Sequence, residues 1–550
     1  MTDTRHITQA PIDHALSVFL AERAGLDGAE KQAFARIISF LSESLRDGHI
    51  CIELTETQQR IVEKSRLVSD EANLPLVLHN SRLYLARYFS YESRLVQNFN
   101  RIATISYQLP GLDRLLESCF PGTADGPDYQ RQAVRLALSR ALTIIGGGPG
   151  TGKTTTIVKI VGLLLTFFGP DLRIVLAAPT GKAAVRMGES ISALIPLMPF
   201  ENWVREAMPK KAMTLHRLLG TPQFGAGFRH DRNNPLSWDV VLVDEASMVD
   251  LAMMSKLVDA LKERSRLILL GDKDQLASVE SGAVLADCIK ALPDNVVELK
   301  ESFRFDKEIA AFADAINRGD DEQVWTMLDG ESIPALRPSG ENWLEQFGDN
   351  CVRYMEKVQS TSFIGDYPCL FELFHEFQVL CAVKNGKRGV SAVNAQVERL
   401  LLQHGFRLGK EPWYQGRPVM ITRNDYTTGL FNGDIGLCLP DPQRDGALGV
   451  WFEQSGGGLR CFPPTRVPAC ETVWAMTIHK SQGSEYDEIL IILPDQDSQV
   501  LCRELLYTAV TRARKRVSIL AEKEVLAITV KRKTKRYSGL AERLAVNINE

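Results

Sequence analysis

LTIIGGGPGTGKTTTIVKIVGLLL, residues 142–165, starts as an apolar strand, passes through a glycine-rich turn and continues as an apolar helix. Within it Gly147, Gly148, Pro149, Gly150, Thr151, Gly152, Lys153 and Thr154 spell the pattern GxxxxGKT. Glycines at such a turn let backbone N–H groups close around phosphate oxygens at a helix N-terminus, where the helix dipole favours anions. Lys153 has the reach and charge for β and γ phosphates, and the Thr154 hydroxyl suits Mg²⁺. With Thr155 continuing the turn, the expected ligand is ATP or GTP.

Outward from this run, from about Tyr129 to Asn317, short apolar stretches (ALTII, RIVLAA, VVLVDE, RLILLG) alternate with helical ones. That alternation predicts a parallel sheet flanked by helices. A second α/β unit follows, with strands at FQVLCAV and EILIIL and a final helix at ELLYTAVTRARK. Between those strands, about Arg417 to Ala469 is rich in Gly, Pro, β-branched and aromatic residues, which predicts a small inserted β-barrel. The first hundred residues show helical spacing, as in Phe34, Ile37, Ile38 and Leu41, and one strand-like segment, PLVLHNSRLYLARYFSYE. ESCFPGTADGPD reads as a linker.

Three further polar groups fall where parallel strands end. WDVVLVDEASMVD places Asp244 and Glu245 after an apolar run, Asp244 suited to a water-mediated hold on Mg²⁺ and Glu245 to a general base for the attacking water. RLILLGDKDQLASVESGAVL brings Gln275 to a similar position, where an uncharged amide can hydrogen-bond both a γ-phosphate and a water, which makes it the candidate nucleotide-state sensor. Phosphoryl transfer also gains from inserted arginines, for which Arg304 in ELKESFRFDKEI and Arg512 in ELLYTAVTRARKRV are candidates. Arg512 has a plainer alternative as part of a solvated basic face with Arg514, Lys515 and Arg516.

Composition narrows the class. The chain has 550 residues, 45% hydrophobic and 24% charged, enough for three or four domains. No run approaches the ~20 apolar residues of a membrane span, and the N-terminal stretch lacks the layout of a secretory signal, so a cytoplasmic protein without a membrane partner is expected. The ten cysteines form no CxxC pair, which removes the usual zinc and iron–sulfur spacings. A net charge of −4 leaves room for a local basic groove.

In order, Tyr129-Gln130, GGGPGTGKTTT, LAAPTGKAAVRM, TLHRLLG, VDEASMVD, LLGDKDQLASVESGAVL, SFRF, AMTIHKSQGSEYD and YTAVTRARKR resemble superfamily 1 helicases of the RecD-like branch, over Tyr129 to Leu540. GRPVMITRNDYTTGLFNGDIG, QVLCAVKNGKRGVSAVN, DGHICIEL and the 75–92 segment resemble the RecD subunits of RecBCD complexes in particular. The resemblance implies an ATP-dependent DNA motor with two RecA-like P-loop cores, a helical N-terminal domain and an SH3-like inserted barrel. The boundaries expected are 1–110 for partner docking, 111–128 for a linker, 129–320 for the first core, 321–416 with 470–550 for the second, and 417–469 for the barrel.

By the same resemblance Gln130 recognises adenine, Glu485 touches the ribose, and Arg304 and Arg512 are the fingers. Thr180, Lys182, Thr214, His216, Thr477 and Lys480 face DNA, as short hydroxyls and basic groups that contact phosphates without reading bases. The implied partners are RecB, RecC, double-stranded DNA ends and single-stranded DNA, with movement 5′ to 3′ and the nuclease in RecB; no nuclease cluster of carboxylates and lysine is visible in this chain. Residues 221–236 are either a strand-separating pin or a plain connector. A free-standing helicase of the same branch and an idle scaffold subunit are the alternatives, the second disfavoured by the complete set of Lys153, Glu245 and arginines.

Overall fold

The four apolar runs become β5 Leu142–Gly147, β6 Ile174–Ala178, β8 Val240–Val243 and β9 Arg266–Gly271 of one all-parallel sheet, which two strands not expected from the pattern, β7 Ala212–Thr214 and β10 Val296–Leu299, complete at its edges in the order β10-β5-β9-β8-β6-β7. They are numbered after the four N-terminal strands given below. Strands of a parallel sheet are covered on both faces, which is why they read as continuous apolar runs. Ile145, Leu242, Ile268 and Leu270 pack toward helix Lys153–Phe168, whereas Ile144, Val241, Val243 and Leu269 pack on the opposite side with Leu95, Phe99 and Leu257. The computed structural model describes residues 10–120, 128–220, 227–277, 281–300, 307–330, 336–338, 340, 342–361, 364–408, 412–425, 427–454 and 457–546.

The N-terminal region is more mixed than the helical domain expected. Helices Pro11–Arg23, Gly28–Arg46 and Ala86–Ala103 accompany a four-stranded sheet of β1 Cys51–Glu53, β2 Val68–Ser69, β3 Leu76–His79 and β4 Arg82–Leu85, in the order β1-β4-β3-β2. Helical spacing at Phe34, Ile37, Ile38 and Leu41 does yield the buried face of Gly28–Arg46. What spacing could not show is that DGHICIEL supplies a short edge strand paired with a segment some thirty residues on, Cys51 opposite Tyr84.

The second core is another all-parallel sheet: β11 Leu336–Pro338, β12 Phe377–Cys381, β18 Ala475–Thr477, β19 Tyr486–Ile492 and β20 Ala513–Leu520, in the order β11-β20-β19-β12-β18. Between β12 and β18 the chain makes an antiparallel sheet of β13 Pro418–Ile421, β14 Ile435–Asp441, β15 Ala447–Glu453, β16 Leu459–Phe462 and β17 Cys470–Thr472, in the order β16-β15-β14-β13-β17. One expectation needs correction. The helix expected over ELLYTAVTRARK stops at Val510, and Arg514, Lys515 and Arg516 enter β20. Alternation in RVSIL favours a strand, and the basic residues pair across to β19 and its approach: Arg514 with Glu485, Lys515 with Asp487, Arg516 with Glu488.

After helix Lys523–Lys531 the chain returns to the N-terminal region. Tyr537 accepts from Ile50 N at 2.9 Å through its carbonyl and donates its own N–H to His49 Nδ1 at 3.0 Å. Gly539 N donates to Glu92 Oε2 at 3.1 Å, and Arg543 Nη1 meets Glu92 Oε1 at 3.0 Å. Helix Leu540–Val546 then buries Leu540 and Leu544. Burial pushes the Glu92 carboxyl up, and Arg543 opposes it. Removing one partner of a buried pair strands the other charge. Arg543→Ala is therefore expected to lower stability by about 3 kcal/mol in urea unfolding at neutral pH. Glu92→Gln added to it should recover part of the loss. A loss under about 1 kcal/mol, the range of an exposed pair, means this anchor does not hold the C-terminus.

Candidate nucleotide and DNA site

The glycine-rich turn needs its glycines for identifiable reasons. Gly150 and Gly152 sit at φ +78° and +81°, in the left-handed region that side chains disfavour. A Cβ on Gly152 would also run into the Gln130 amide, so Gln130 lies directly over the turn from the start of helix Tyr129–Ser139. Thr151 Oγ1 donates to Gly148 O at 2.9 Å, and Lys153 Nζ donates to Gly147 O at 2.6 Å and Gly148 O at 2.9 Å. Lys153, Thr154 and Thr155 form the first turn of the apolar helix, whose N-terminus opens on the loop.

Strands β5, β9 and β8 are neighbours, so their carboxyl ends bring Lys153, Gln275 and Asp244 to one cleft. Burial pushes the Asp244 carboxyl up to about 6, the adjacent Glu245 adds to the rise, and Lys153 pulls against it. Asp272 is likewise raised by burial and opposed first by Lys153. Glu245 holds φ +53°, a strained value for a non-glycine residue, and its N–H donates to Asp244 Oδ1 at 2.9 Å. Thr154 and Asp244 offer the hard oxygen donors that Mg²⁺ takes, and the raised Asp244 marks buried negative charge that a divalent cation would offset. The donor set fits.

The second core reaches this cleft through helix Arg503–Val510. Tyr507 OH donates to Asp272 Oδ2 at 3.1 Å, Gln275 Nε2 donates to the same oxygen at 3.0 Å, and Thr508 Oγ1 accepts from Leu276 N at 2.8 Å. Gln482 Nε2 adds a bond to Leu276 O at 3.2 Å. Arg512 is only 3% exposed, which overturns the solvated-face alternative. Its donors go to Thr508 O at 3.0 Å, Ser484 O at 3.3 Å and Thr511 Oγ1 at 3.5 Å, all within the second core. Glu485 faces Arg514, Oε2 to Nη2, at 3.2 Å. Arg304 lies outside the described residues.

The residues expected to face DNA divide into two groups. Thr180 follows β6, Thr214 ends β7 and Thr477 ends β18, all at carboxyl ends of parallel strands. The hydroxyls of Thr180 and Thr214 cap helices Gly181–Leu194 and Leu215–Leu219, each accepting a backbone N–H at 3.2 Å, and His216 is exposed beside Phe228. Lys182 and Lys480 differ from expectation. Lys182 Nζ is turned inward, to Ser484 Oγ at 2.6 Å and Gly433 O at 3.4 Å, and burial followed by Arg186 pushes it down to about 7. Lys480 pairs with Glu471 at 2.6 Å. An ammonium at a seam between cores must find acceptors, and the 483–484 turn, which also takes Arg186 on Gly483 O, supplies them.

Of the pin-or-connector segment, residues 221–226 lie outside the described residues. The rest folds back on helix Leu215–Leu219, with Arg229 N on Gly220 O at 2.7 Å and a tight turn between Asp231 and Asn234. Sequence reasoning missed Tyr507, Thr508, Ser484, Arg186 and the structural part of Asp272. One signal was present: a tyrosine inside the apolar helix LLYTAV needs a partner for its hydroxyl.

Comparison with known proteins adds the family. The family described as an AAA domain matches residues 130–281, and the UvrD-like helicase C-terminal domain matches residues 472–520. The RecBCD enzyme subunit RecD of Mycolicibacterium smegmatis is 36% identical, over 97% of this chain and 98% of that protein. The subunit of the same name from Haemophilus influenzae is 34% identical over 86% of this chain and 81% of its own. The ATP-dependent RecD2 DNA helicase of Deinococcus radiodurans is 31% identical over 73% of this chain but 50% of its own length.

The buried carboxyl gives a pH signature. Because Asp244 moves from 3.8 to about 6 on folding, the folded chain holds that proton more tightly than the unfolded one. Its contribution favours the fold at low pH and is lost as pH rises from about 4 to about 6. Measured by urea unfolding, the wild-type stability minus that of Asp244→Asn should therefore fall by up to about 3 kcal/mol across that window. A difference flat with pH means the carboxyl is not held up.

Proposed function

This chain belongs to the family of the RecBCD enzyme subunit RecD and is an ATP-dependent DNA helicase motor, and from that premise we propose that it pulls the 5′-ended strand of a DNA end in the 5′ to 3′ direction within a heterotrimer with RecB and RecC. Its place is the cytoplasm of a bacterium, in double-strand break repair, homologous recombination and DNA degradation, with the nuclease in RecB. Two observations favour the subunit reading over a free-standing helicase or an idle scaffold. The match covers 98% of the M. smegmatis subunit but half of the Deinococcus helicase, and the phosphoryl-transfer side chains of the cleft are intact. Among the described residues no helix is long and apolar enough to cross a membrane.

The observation that carries the mechanism is the convergence of Lys153, Asp244 and Gln275 at three neighbouring strand ends, with Tyr507 and Thr508 of the second core seated on the Gln275 loop. The loop from Gly147 to Thr155 wraps the phosphates with its N–H groups, and Lys153 exchanges the carbonyls of Gly147 and Gly148 for β and γ phosphate oxygens. Gln130 receives the adenine and Glu485 the ribose. Thr154 and Asp244 would hold Mg²⁺, which would supply charge neutralisation of the phosphates. Glu245 takes the proton of the attacking water, Gln275 orients that water, and Arg512 and Arg304 meet the charge spreading onto the γ-phosphoryl oxygens.

Phosphate contacts by Thr180, Thr214, His216 and Thr477, joined by Lys182 and Lys480 when they change partners, give a grip indifferent to base identity. We read residues 1–110 as the RecC-docking domain, 111–128 as a linker, 129–320 as the first core, 321–416 with 470–550 as the second, and 417–469 as an SH3-like barrel that helps to enclose the strand. The antiparallel order of β13 to β17 supports the last of these.

The test uses the purified chain with ATP and Mg²⁺ on duplexes bearing either a 5′ or a 3′ single-stranded tail, with Lys153→Gln as the inactive control. Unwinding confined to the 5′ tail is expected, either by the chain alone or once RecB and RecC are added. Preference for the 3′ tail would overturn the polarity. Activity surviving in the control would remove the nucleotide site from the mechanism.

A further inference from the structure

Helix Arg503–Val510 brings a buried phenol into the cleft. Tyr507 is 7% exposed, its hydroxyl donates to Asp272 Oδ2, and that oxygen also receives the Gln275 side-chain N–H. Asp272 Oδ1 is meanwhile taken by Asp274 N at 3.0 Å, so both carboxylate oxygens are occupied and its rotamer is fixed. A Cβ built on Gly148 would stand 3.0 Å from the Tyr507 hydroxyl, which places that hydroxyl against the phosphate-binding turn as well. One residue on, Thr508 holds Leu276 N through its side chain and Arg512 Nε through its carbonyl.

We propose that Tyr507 is a positioning residue for ATP hydrolysis: through Asp272 it fixes the Gln275 side chain, and so makes the sensor depend on the second core being closed on the first. The inference rests on the reading of Gln275 as the residue that orients the attacking water. With its amide N–H committed to Asp272, Gln275 keeps its carbonyl oxygen as the acceptor for that water, the polarity required for orienting it. Tyr507 is one of four groups that hold the Asp272 carboxyl down against burial, along with Lys153, the Asp274 N–H and Gln275. If the second core withdraws, Asp272 loses its donor from that side and Gln275 loses the fixed partner that orients it. Removal of the phenol hydroxyl alone leaves the turn, Lys153, Gln130 and Glu485 in place, so nucleotide binding is not touched by it. The phenol thus acts on turnover and not on capture.

The experiment is DNA-stimulated ATP hydrolysis by the full-length chain for wild type, Tyr507→Phe, Gln275→Ala and the double variant, with thermal unfolding of each. Phenylalanine keeps the ring and removes only the hydroxyl. The expected result is a kcat lowered about tenfold, with KM for ATP and the unfolding midpoint unchanged, and a double variant no slower than Gln275→Ala alone. A Tyr507→Phe kcat within about twofold of wild type, a loss confined to KM, or losses that multiply in the double variant would overturn the proposal. Should Tyr507→Phe lower the unfolding midpoint, Asp272→Asn replaces it: the same non-additivity with Gln275→Ala is expected, and independent losses would refute it. A wild-type chain with no hydrolysis beyond that of Lys153→Gln would bring down the nucleotide-site reading itself, whereas an active wild type matched by Tyr507→Phe brings down only the role of Tyr507.

Discussion

Two buried carboxylates, Asp244 and Asp272, both feel the single ammonium of Lys153, and much of the molecule is arranged around that imbalance. Charges do not stay in an interior unless something offsets them. The first core supplies part of the offset with backbone N–H groups, from Glu245 to Asp244 and from Asp274 to Asp272. The second core supplies Tyr507. The remaining deficit falls beside a glycine-rich turn whose backbone N–H groups suit phosphate. A parallel sheet makes this possible because consecutive strands end on one side, so residues 142–153, 240–245 and 266–275, far apart in the chain, meet without any long excursion.

The seam between the cores follows the same rule in reverse. There desolvated cations reach across: Lys182 and Arg186 point from the first core onto Ser484 and Gly483 of the second, with the Asp434 carboxyl nearby opposing the effect of burial on Lys182, and Arg512 sits among backbone carbonyls on the far side. Burial is the leading influence on both Lys182 and Arg186, and it lowers both. A seam held by hydrogen bonds from desolvated cations is easily re-formed in another register, because any phosphate or carbonyl offers an equivalent acceptor. Packed apolar surface would lack that exchangeability. This is the property a stepping motor needs of the surface between its moving parts.

Most of what lies in the first core was legible in sequence because each signal was local. The 142–165 run carries strand, turn and helix together, and the acidic pair and Gln275 each follow an apolar strand within a few residues. The second core was less legible where local pattern and tertiary context compete. Helix-forming residues in ELLYTAVTRARK continue past Val510, yet the sheet takes Arg514 to Arg516 because Glu485, Asp487 and Glu488 stand opposite them. Lys182 and Lys480 read as exposed basic groups from their own segments, and only the approach of the 483–484 turn and of Glu471 turns them to protein partners. The N-terminal sheet was hidden for a similar reason, since β1 has three residues and exists by virtue of β4.

Helix Arg503–Val510 stands where these arrangements meet. Its Tyr507 and Thr508 grip the sensor loop of the first core, while at its start Arg503 donates its N–H to Arg532 O at 2.8 Å and its guanidinium to Val530 O and Asn317 O, each at 3.0 Å. Arg532 is where the chain leaves the second core for the N-terminal region, to be anchored at His49 and Glu92. One short helix therefore touches both the Gln275 loop of the first core and the base of the returning segment. A rotation that lifts Tyr507 from Asp272 also moves Arg503 and the base of the returning segment, whose far end is fixed by a buried ion pair.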